Sequence, residues 1–162
     1  MRPATLAKTT GAVLLTAALG GLASRPARSD WYEKLRKPSF QPPRQAFPIV
    51  WPLLYADIAA VSAGTVDQLN DDGRQDEARA YSELLALNLI LNGGWTWLFF
   101  SRRELGASAF AAAALTASSA DLTRRAVRTR GAGAGVLGLY PLWCAFATAL
   151  SGRIWWLNRR GG

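Results

Sequence analysis

Five long apolar stretches constrain this chain more than any other feature. They cover roughly residues 5–23, 47–66, 81–100, 105–123 and 136–157, and most charged residues lie between them. A helix rises about 1.5 Å per residue, so roughly 20 residues cross a hydrocarbon core of about 30 Å. Backbone groups in lipid must be hydrogen-bonded within the protein. The pattern therefore predicts an all-α integral membrane protein, a bundle of five transmembrane helices forming one domain over residues 1–162.

The composition agrees with a membrane protein. Half of the residues are hydrophobic, seven are Trp and none is His. The net charge of +8 would suit a nucleic-acid-binding protein, but the Lys and Arg residues lie between apolar stretches and do not line one amphipathic face. We therefore expect these cations to face lipid headgroups, with no nucleic acid as partner. The single Cys144 lies inside an apolar stretch and is expected to be a small buried hydrophobe, so neither a disulfide nor a metal site is predicted.

The segment WYEKLRKPSFQPPRQAFPIVWPLLY, residues 31–55, mixes aromatic, basic and proline residues. Its first half carries Lys34, Arg36, Lys37 and Arg44 among prolines that interrupt regular helix, whereas its second half is apolar. We expect the first half to lie at the water boundary, as a loop that leads into the second transmembrane helix.

The order of residues in this segment resembles the TspO/MBR family, which contains translocator proteins and tryptophan-rich sensory proteins. The matching residues are Trp31, Tyr32, Leu35, Lys37, Pro38, Pro42, Pro43, Phe47, Val50, Trp51, Leu54 and Tyr55. Two later runs extend the resemblance: N-x-x-x-N-x-x-W-x-x-x-F-F from Asn88, and W-x-x-F-A-T-x-L followed by I-W-x-L-N from Trp143.

The first apolar stretch allows two interpretations. Arg2 and Lys8 before an apolar region, with small residues after it, are typical of a secretory signal. The length also fits one transmembrane helix, and the resemblance implies a helix at this position.

The third stretch carries polar side chains at helical spacing. Asn88, Asn92, Trp95 and Phe99 follow one another at intervals of four, three and four residues, so they fall on one face. Unpaired amides in hydrocarbon are costly, so this face should point into the bundle. The amides would there either hydrogen-bond neighbouring helices or contact a ligand, and the residues alone favour the first role. The resemblance favours the second role for Asn92.

The resemblance implies a pocket for a porphyrin- or haem-type tetrapyrrole, or a similar flat hydrophobic ligand, without a resident cofactor. The implied ligand-binding residues are Tyr32, Phe47, Trp51, Asn88, Asn92, Trp95, Phe99, Trp143 and Ala147. A lid from the first loop would contain Trp31, Lys37, Pro38, Pro42 and Pro43. The chain departs from the family at Asn88, where Gln is frequent, and at Pro141, which is two residues before Trp143 instead of four. Ser151, Gly152 and Arg153 replace the sterol-associated tyrosines, so cholesterol recognition is not expected.

Other polar and small residues admit two roles each. Asp57 lies inside the second stretch and would either face a functional site or stay solvated at a wet cavity. The fourth stretch contains rows of small residues around Ala109, Ala113 and Ala117, which suit close packing inside the bundle or an oligomer contact. The resemblance favours a homodimer. Polar connectors are predicted over residues 67–79 and 124–135.

The distribution of cations predicts an orientation. Eight of the nineteen Lys and Arg residues fall on the side of the amino terminus, and the other eleven on the side of the first loop and carboxyl terminus. The positive-inside rule then places the carboxyl terminus in the cytoplasm. Continuous apolar helices favour a bacterial cytoplasmic membrane over an outer membrane.

Three functions are consistent with these observations. The first is a membrane receptor or sensory protein that binds a tetrapyrrole. The second, implied by the resemblance, is an enzyme that degrades porphyrin in light through its tryptophans, although the sequence offers no conventional nucleophile and base. The third is a transporter of tetrapyrroles or lipids, for which no internal repeat or pair of broken helices is present in the sequence.

Overall fold

Most of each apolar stretch lies in a long helix of the computed structural model, which describes residues 1–160. The helices are α1 Pro3–Ala23, α2 Asp30–Lys34, α3 Phe47–Asp71, α4 Gln75–Thr96, α5 Leu105–Arg130 and α6 Leu139–Asn158. A π turn, Trp97–Ser101, extends α4. Within residues 1–160, all except the short α2 are long and apolar enough, with their flanking turns, to cross a membrane. The prediction of an all-α membrane protein is therefore confirmed.

Three helices, α3, α4 and α5, extend further into the polar connectors than their apolar stretches. The predicted connector over residues 67–79 is wrong in extent, because α3 continues to Asp71 and α4 begins at Gln75. The predicted connector over residues 124–135 is wrong in the same way, because α5 continues to Arg130. Gly73 and Gly131 stand at the actual turns with φ of 73° and 79°, which glycine adopts without strain. Polarity therefore marks where the apolar stretch ends, whereas the glycines mark where the helix ends.

The first helix is part of the bundle. It packs against α3 and α4. The Thr9 hydroxyl donates to the carbonyl of Ala59 across 3.2 Å, and the Arg2 guanidinium forms an ion pair with Asp71 at the end of α3. These contacts favour the transmembrane-helix interpretation of the first stretch over the signal interpretation. Helices α4 and α5 also pack against each other.

Polar residues are concentrated inside the bundle and large apolar ones outside. Ser62, Thr65, Asn88, Ser108 and Ser119 are fully buried. The exposed apolar side chains include Leu14, Leu15, Leu19, Ile49, Leu53, Ile90, Phe110 and Leu142. Lipid is as apolar as leucine, so association of the helices depends on close packing and hydrogen bonds. This distribution is that of helices surrounded by lipid.

The small residues of α5 occupy two faces. Ser108, Ala112 and Ser119 lie inside, whereas Ala113 and Ala117 lie on the outer surface. The inner face allows α6 to pack closely along α5.

Asp57 is half-buried, and one of its carboxylate oxygens is buried without a hydrogen-bond partner among residues 1–160. The two interpretations of Asp57 thus remain open.

Candidate ligand-binding site

Aromatic rings from three helices meet near the first loop. Trp51, at the start of α3, lies with its ring centroid 6.2 Å from that of Trp95 on α4 and 6.4 Å from that of Trp143 on α6. The ring of Tyr55, one turn further along α3, stacks on Trp51 at 5.5 Å. Ala147 packs in the same cluster as Trp95, where its small side chain leaves room for the indole. We call Trp51, Tyr55, Trp95 and Trp143 the aromatic cluster.

The polar face of α4 points into the bundle, as its spacing predicts. Asn88, Asn92, Trp95 and Phe99 are exposed to 0%, 1%, 9% and 4% respectively. This confirms that the face does not contact lipid.

Asn88 connects three helices. Its amide nitrogen donates to the hydroxyls of Ser118 and Ser119 on α5, across 2.7 and 2.9 Å. Its carbonyl oxygen accepts from the Tyr140 hydroxyl on α6 across 2.8 Å. Both polar atoms of Asn88 therefore have partners within the protein, which is the arrangement of an interhelical crosslink. A ligand contact by Asn88 stays a prediction.

Asn92 lies between two tyrosines one turn closer to the aromatic cluster. Its carbonyl oxygen accepts from Tyr55 across 2.9 Å, and its amide nitrogen donates to Tyr140 across 3.1 Å. Because Tyr55 stacks on Trp51, the amide is linked to the aromatic cluster through one ring. The amide group has a second N–H, so a role toward a ligand is compatible with these bonds and stays a prediction.

Trp143 differs from Trp95 in its hydrogen bonding. The indole N–H of Trp95 donates to the Ser151 hydroxyl across 3.2 Å. The indole nitrogen of Trp143 is buried without a partner among residues 1–160. A buried donor without an acceptor costs about 1–3 kcal/mol. Trp143 thus presents an available hydrogen-bond donor inside the aromatic cluster.

The loop between α1 and α3 covers this end of the bundle. Tyr32 packs on Phe99 and Phe100, with centroids 6.3 and 5.7 Å apart. Phe40 lies 6.2 Å from Phe146, and Phe47 lies 5.9 Å from Trp143. The loop therefore places Tyr32 and Phe40, and the first residue of α3 places Phe47, over the residues that surround the aromatic cluster.

Polar contacts hold the same loop in place. The backbone N–H of Arg36 donates to the side-chain oxygen of Asn158 across 3.0 Å, and the Asn158 amide donates back to the Arg36 carbonyl across 2.9 Å. Lys37 lies 4.5 Å from the centroid of Tyr32, whose hydroxyl accepts from Gln41. Burial raises the pKa of the Tyr32 hydroxyl above its ordinary value.

The predicted lid residues all lie in this loop. Trp31 contacts Phe99, with ring centroids 6.4 Å apart. Pro38 and Pro42 are half-buried, while Pro43 is exposed and precedes the short turn before α3.

Several residues near the aromatic cluster are not among those that the sequence predicts. Tyr55, Tyr140 and Ser151 supply hydroxyl partners, and Phe40 and Phe146 supply rings. A signal for them exists in the helical spacing. Tyr140, Cys144, Ala147 and Ser151 form one buried face of α6, and Tyr55 follows Trp51 by one turn.

We expect Asn158→Ala to loosen the lid. The substitution removes both hydrogen bonds to Arg36, so the loop should open more often and a bound flat ligand should dissociate about tenfold faster. Stopped-flow displacement of protoporphyrin IX from detergent-solubilised protein measures this rate. Asn158→Asp keeps the acceptor and should give a smaller change. An unchanged dissociation rate in Asn158→Ala would show that the loop is only a connector.

Comparisons with known proteins find matches over most of this chain. The TspO/MBR family model matches residues 9–157. The translocator protein of Ovis aries is 38% identical over 136 residues, which cover 82% of this chain and 78% of the relative. The tryptophan-rich sensory protein of Cereibacter sphaeroides is 33% identical, with coverage of 75% and 73%. The translocator protein of Homo sapiens is 30% identical, with coverage of 82% and 78%.

Proposed function

Since the chain belongs to the TspO/MBR family of membrane proteins, we propose that it is a receptor or sensory protein for a porphyrin-type tetrapyrrole or a similar flat hydrophobic molecule. The observation that carries this proposal is the aromatic cluster beneath the lid, with one indole donor that has no partner among residues 1–160. Aromatic faces stack on planar rings, and a single polar group fixes the orientation of the ligand.

Ligand binding requires the rings to move apart. The centroid separations of 5.5–6.4 Å from Trp51 to its three neighbours mean that the indoles contact one another. A flat ligand would insert between them after the lid opens. The Trp143 N–H would then donate to an acceptor on the ligand, which would satisfy the buried donor.

We expect Trp143→Phe to weaken ligand binding without a matching loss of stability. The ring is retained, and the packing lost with the smaller side chain is offset by removal of an unpaired buried donor. Loss of one hydrogen bond to the ligand should lower the affinity about fivefold. Absorbance titration of protoporphyrin IX measures the affinity independently of the number of tryptophans.

Trp95→Phe is the matched control. It removes an indole N–H that already donates to Ser151, so it should lower the free energy of unfolding by about 1 kcal/mol and affect affinity less than Trp143→Phe. Equal affinity of Trp143→Phe and the parent protein would refute the role assigned to the Trp143 donor.

The same titration separates a receptor from an enzyme. A receptor binds about one porphyrin per site and releases it chemically unchanged, in light as in darkness. Consumption of many porphyrin molecules per chain under illumination would instead support the photo-oxidative enzyme.

Orientation and assembly follow as further parts of the proposal. The excess of cations on the side of the first loop supports a cytoplasmic carboxyl terminus in a bacterial cytoplasmic membrane. Reporter fusions to each terminus measure on which side of the membrane that terminus lies. The outward small residues of α5, among them Ala113 and Ala117, support a homodimer, because small residues let helix backbones approach closely.

A further inference from the structure

A cleft of about 360 Å³ lies beside the lid, outside the aromatic cluster. It opens between the first loop, the beginning of α5 and the end of α6. Lys34, Arg36 and Arg103 contribute its charge, and Leu35, Leu105 and Leu157 contribute an apolar part. Because α5 begins and α6 ends here, the cleft is at the boundary between the apolar part of the bundle and water.

The three cations of this cleft have no acidic partner among residues 1–160. Within residues 1–160, no ion pair includes Lys34, Arg36 or Arg103, and the neighbouring Glu33 and Glu104 are bound by Arg44 and Arg102. The cleft therefore concentrates positive charge that no carboxylate of residues 1–160 neutralises through an ion pair.

A second cleft, of about 330 Å³, provides a contrast at the opposite end of the bundle. Arg74 is paired there with Glu77, and Arg124 and Arg125 are both paired with Asp121. Three of the four arginines that line this cleft therefore have a carboxylate partner, and it is the weaker candidate for an anion.

Arg103 has an unusual backbone conformation. Its φ is 58°, the one positive value at a non-glycine residue among residues 1–160. Residues with side chains rarely adopt this conformation, because it brings Cβ close to the backbone. The Arg103 guanidinium lies 5.0 Å from the centroid of Trp31, which also lines the cleft. A turn with a strained backbone thus places a cation at the cleft. Residues with strained backbones are frequent at binding sites.

We propose that this cleft binds the phosphate headgroup of an anionic membrane phospholipid. Arginine and lysine form strong, charge-assisted hydrogen bonds with phosphate oxygens. The leucines would contact the first part of the acyl chains, which a free phosphate does not have. Basic pockets between transmembrane helices at the membrane surface suit such headgroups. This site goes beyond the tetrapyrrole function and does not depend on it.

Arg103→Gly tests the proposal because it should change stability and binding differently. Glycine adopts a φ of 58° without strain, so the melting temperature should be unchanged or higher. Loss of one cation should reduce the affinity for dihexanoylphosphatidylglycerol about tenfold. Calorimetric titration of the full chain in a neutral detergent measures the affinity. The salt concentration is kept low and constant, because screening by salt weakens such contacts.

Two further variants control for folding and for general charge. Arg36→Gln should also weaken binding, and it leaves the lid anchored because Asn158 holds the Arg36 backbone and not its side chain. Arg128→Gln removes a cation from the opposite cleft and should leave the affinity unchanged.

Three outcomes would overturn the proposal. The first is an equal loss of affinity in Arg128→Gln, which would indicate general electrostatic attraction. The second is binding of dihexanoylphosphatidylcholine as tight as that of the anionic lipid. The third is binding of glycerol 3-phosphate with the affinity of the lipid, which would indicate a site for free phosphate esters.

Discussion

Asn88→Ala should lower the free energy of unfolding by about 2–4 kcal/mol, the largest loss of stability expected from one substitution that leaves the aromatic cluster intact. Three hydrogen bonds disappear together, and interhelical bonds in membranes contribute about 0.6 to 1.7 kcal/mol each. The Tyr140 hydroxyl also loses an acceptor, and a small cavity forms at a site with no exposed surface.

Unfolding in mixed micelles with increasing denaturing detergent measures this effect. Tyr140→Phe is the control, since it removes one hydroxyl from the same network and should lower stability by about 1 kcal/mol. The double variant should be less destabilised than the sum of the two single variants, because both remove the same bond. A loss below about 1 kcal/mol in Asn88→Ala would show that the amide is not a crosslink between helices.

Trp51→Ala should cause the largest loss of ligand affinity, about 30- to 150-fold for protoporphyrin IX, or about 2–3 kcal/mol. Trp51 is the ring shared by all the contacts of the aromatic cluster, because Tyr55, Trp95 and Trp143 each lie within 6.4 Å of it. Its removal would take away a stacking surface and leave the other rings without their common neighbour.

Two variants define this result. Trp51→Phe retains an aromatic face and should lose much less affinity. This variant still tests the proposal if the alanine variant does not fold. Trp97→Ala is the matched control, because Trp97 is in the π turn that extends α4 but is 48% exposed on the outer surface of the bundle. Equal losses in Trp51→Ala and Trp97→Ala would contradict binding of the ligand inside the bundle.

Much of the arrangement near the first loop could be predicted from the sequence. The spacing of Asn88, Asn92, Trp95 and Phe99 predicts a single inward face, because helical geometry fixes which side chains share a side. The convergence of Trp51 and Trp143 near the first loop follows from the alternating direction of the helices. The structure places these two rings in contact and links Asn92 to them through Tyr55.

Helix ends were less accessible to prediction. Hydropathy falls after residue 66, yet α3 continues to Asp71, and α5 likewise continues through its arginines to Arg130. Charged residues are compatible with a helix that has left the lipid, so a change in polarity does not end the backbone hydrogen bonding. Only a residue that leaves the helical conformation does so, here Gly73 and Gly131.

The sequence by itself determined the membrane class, the five apolar helices and the faces that they turn inward, because these depend on length, hydropathy and local periodicity. Only the tertiary structure decided the partners of the inward groups. Asn88 meets Ser118, Ser119 and Tyr140, Trp95 finds an acceptor in Ser151, and Trp143 finds none among residues 1–160. These partners lie on other helices, and the depth and rotation at which two helices pack depend on interlocking side chains from both. Periodicity within one helix carries no information about that match.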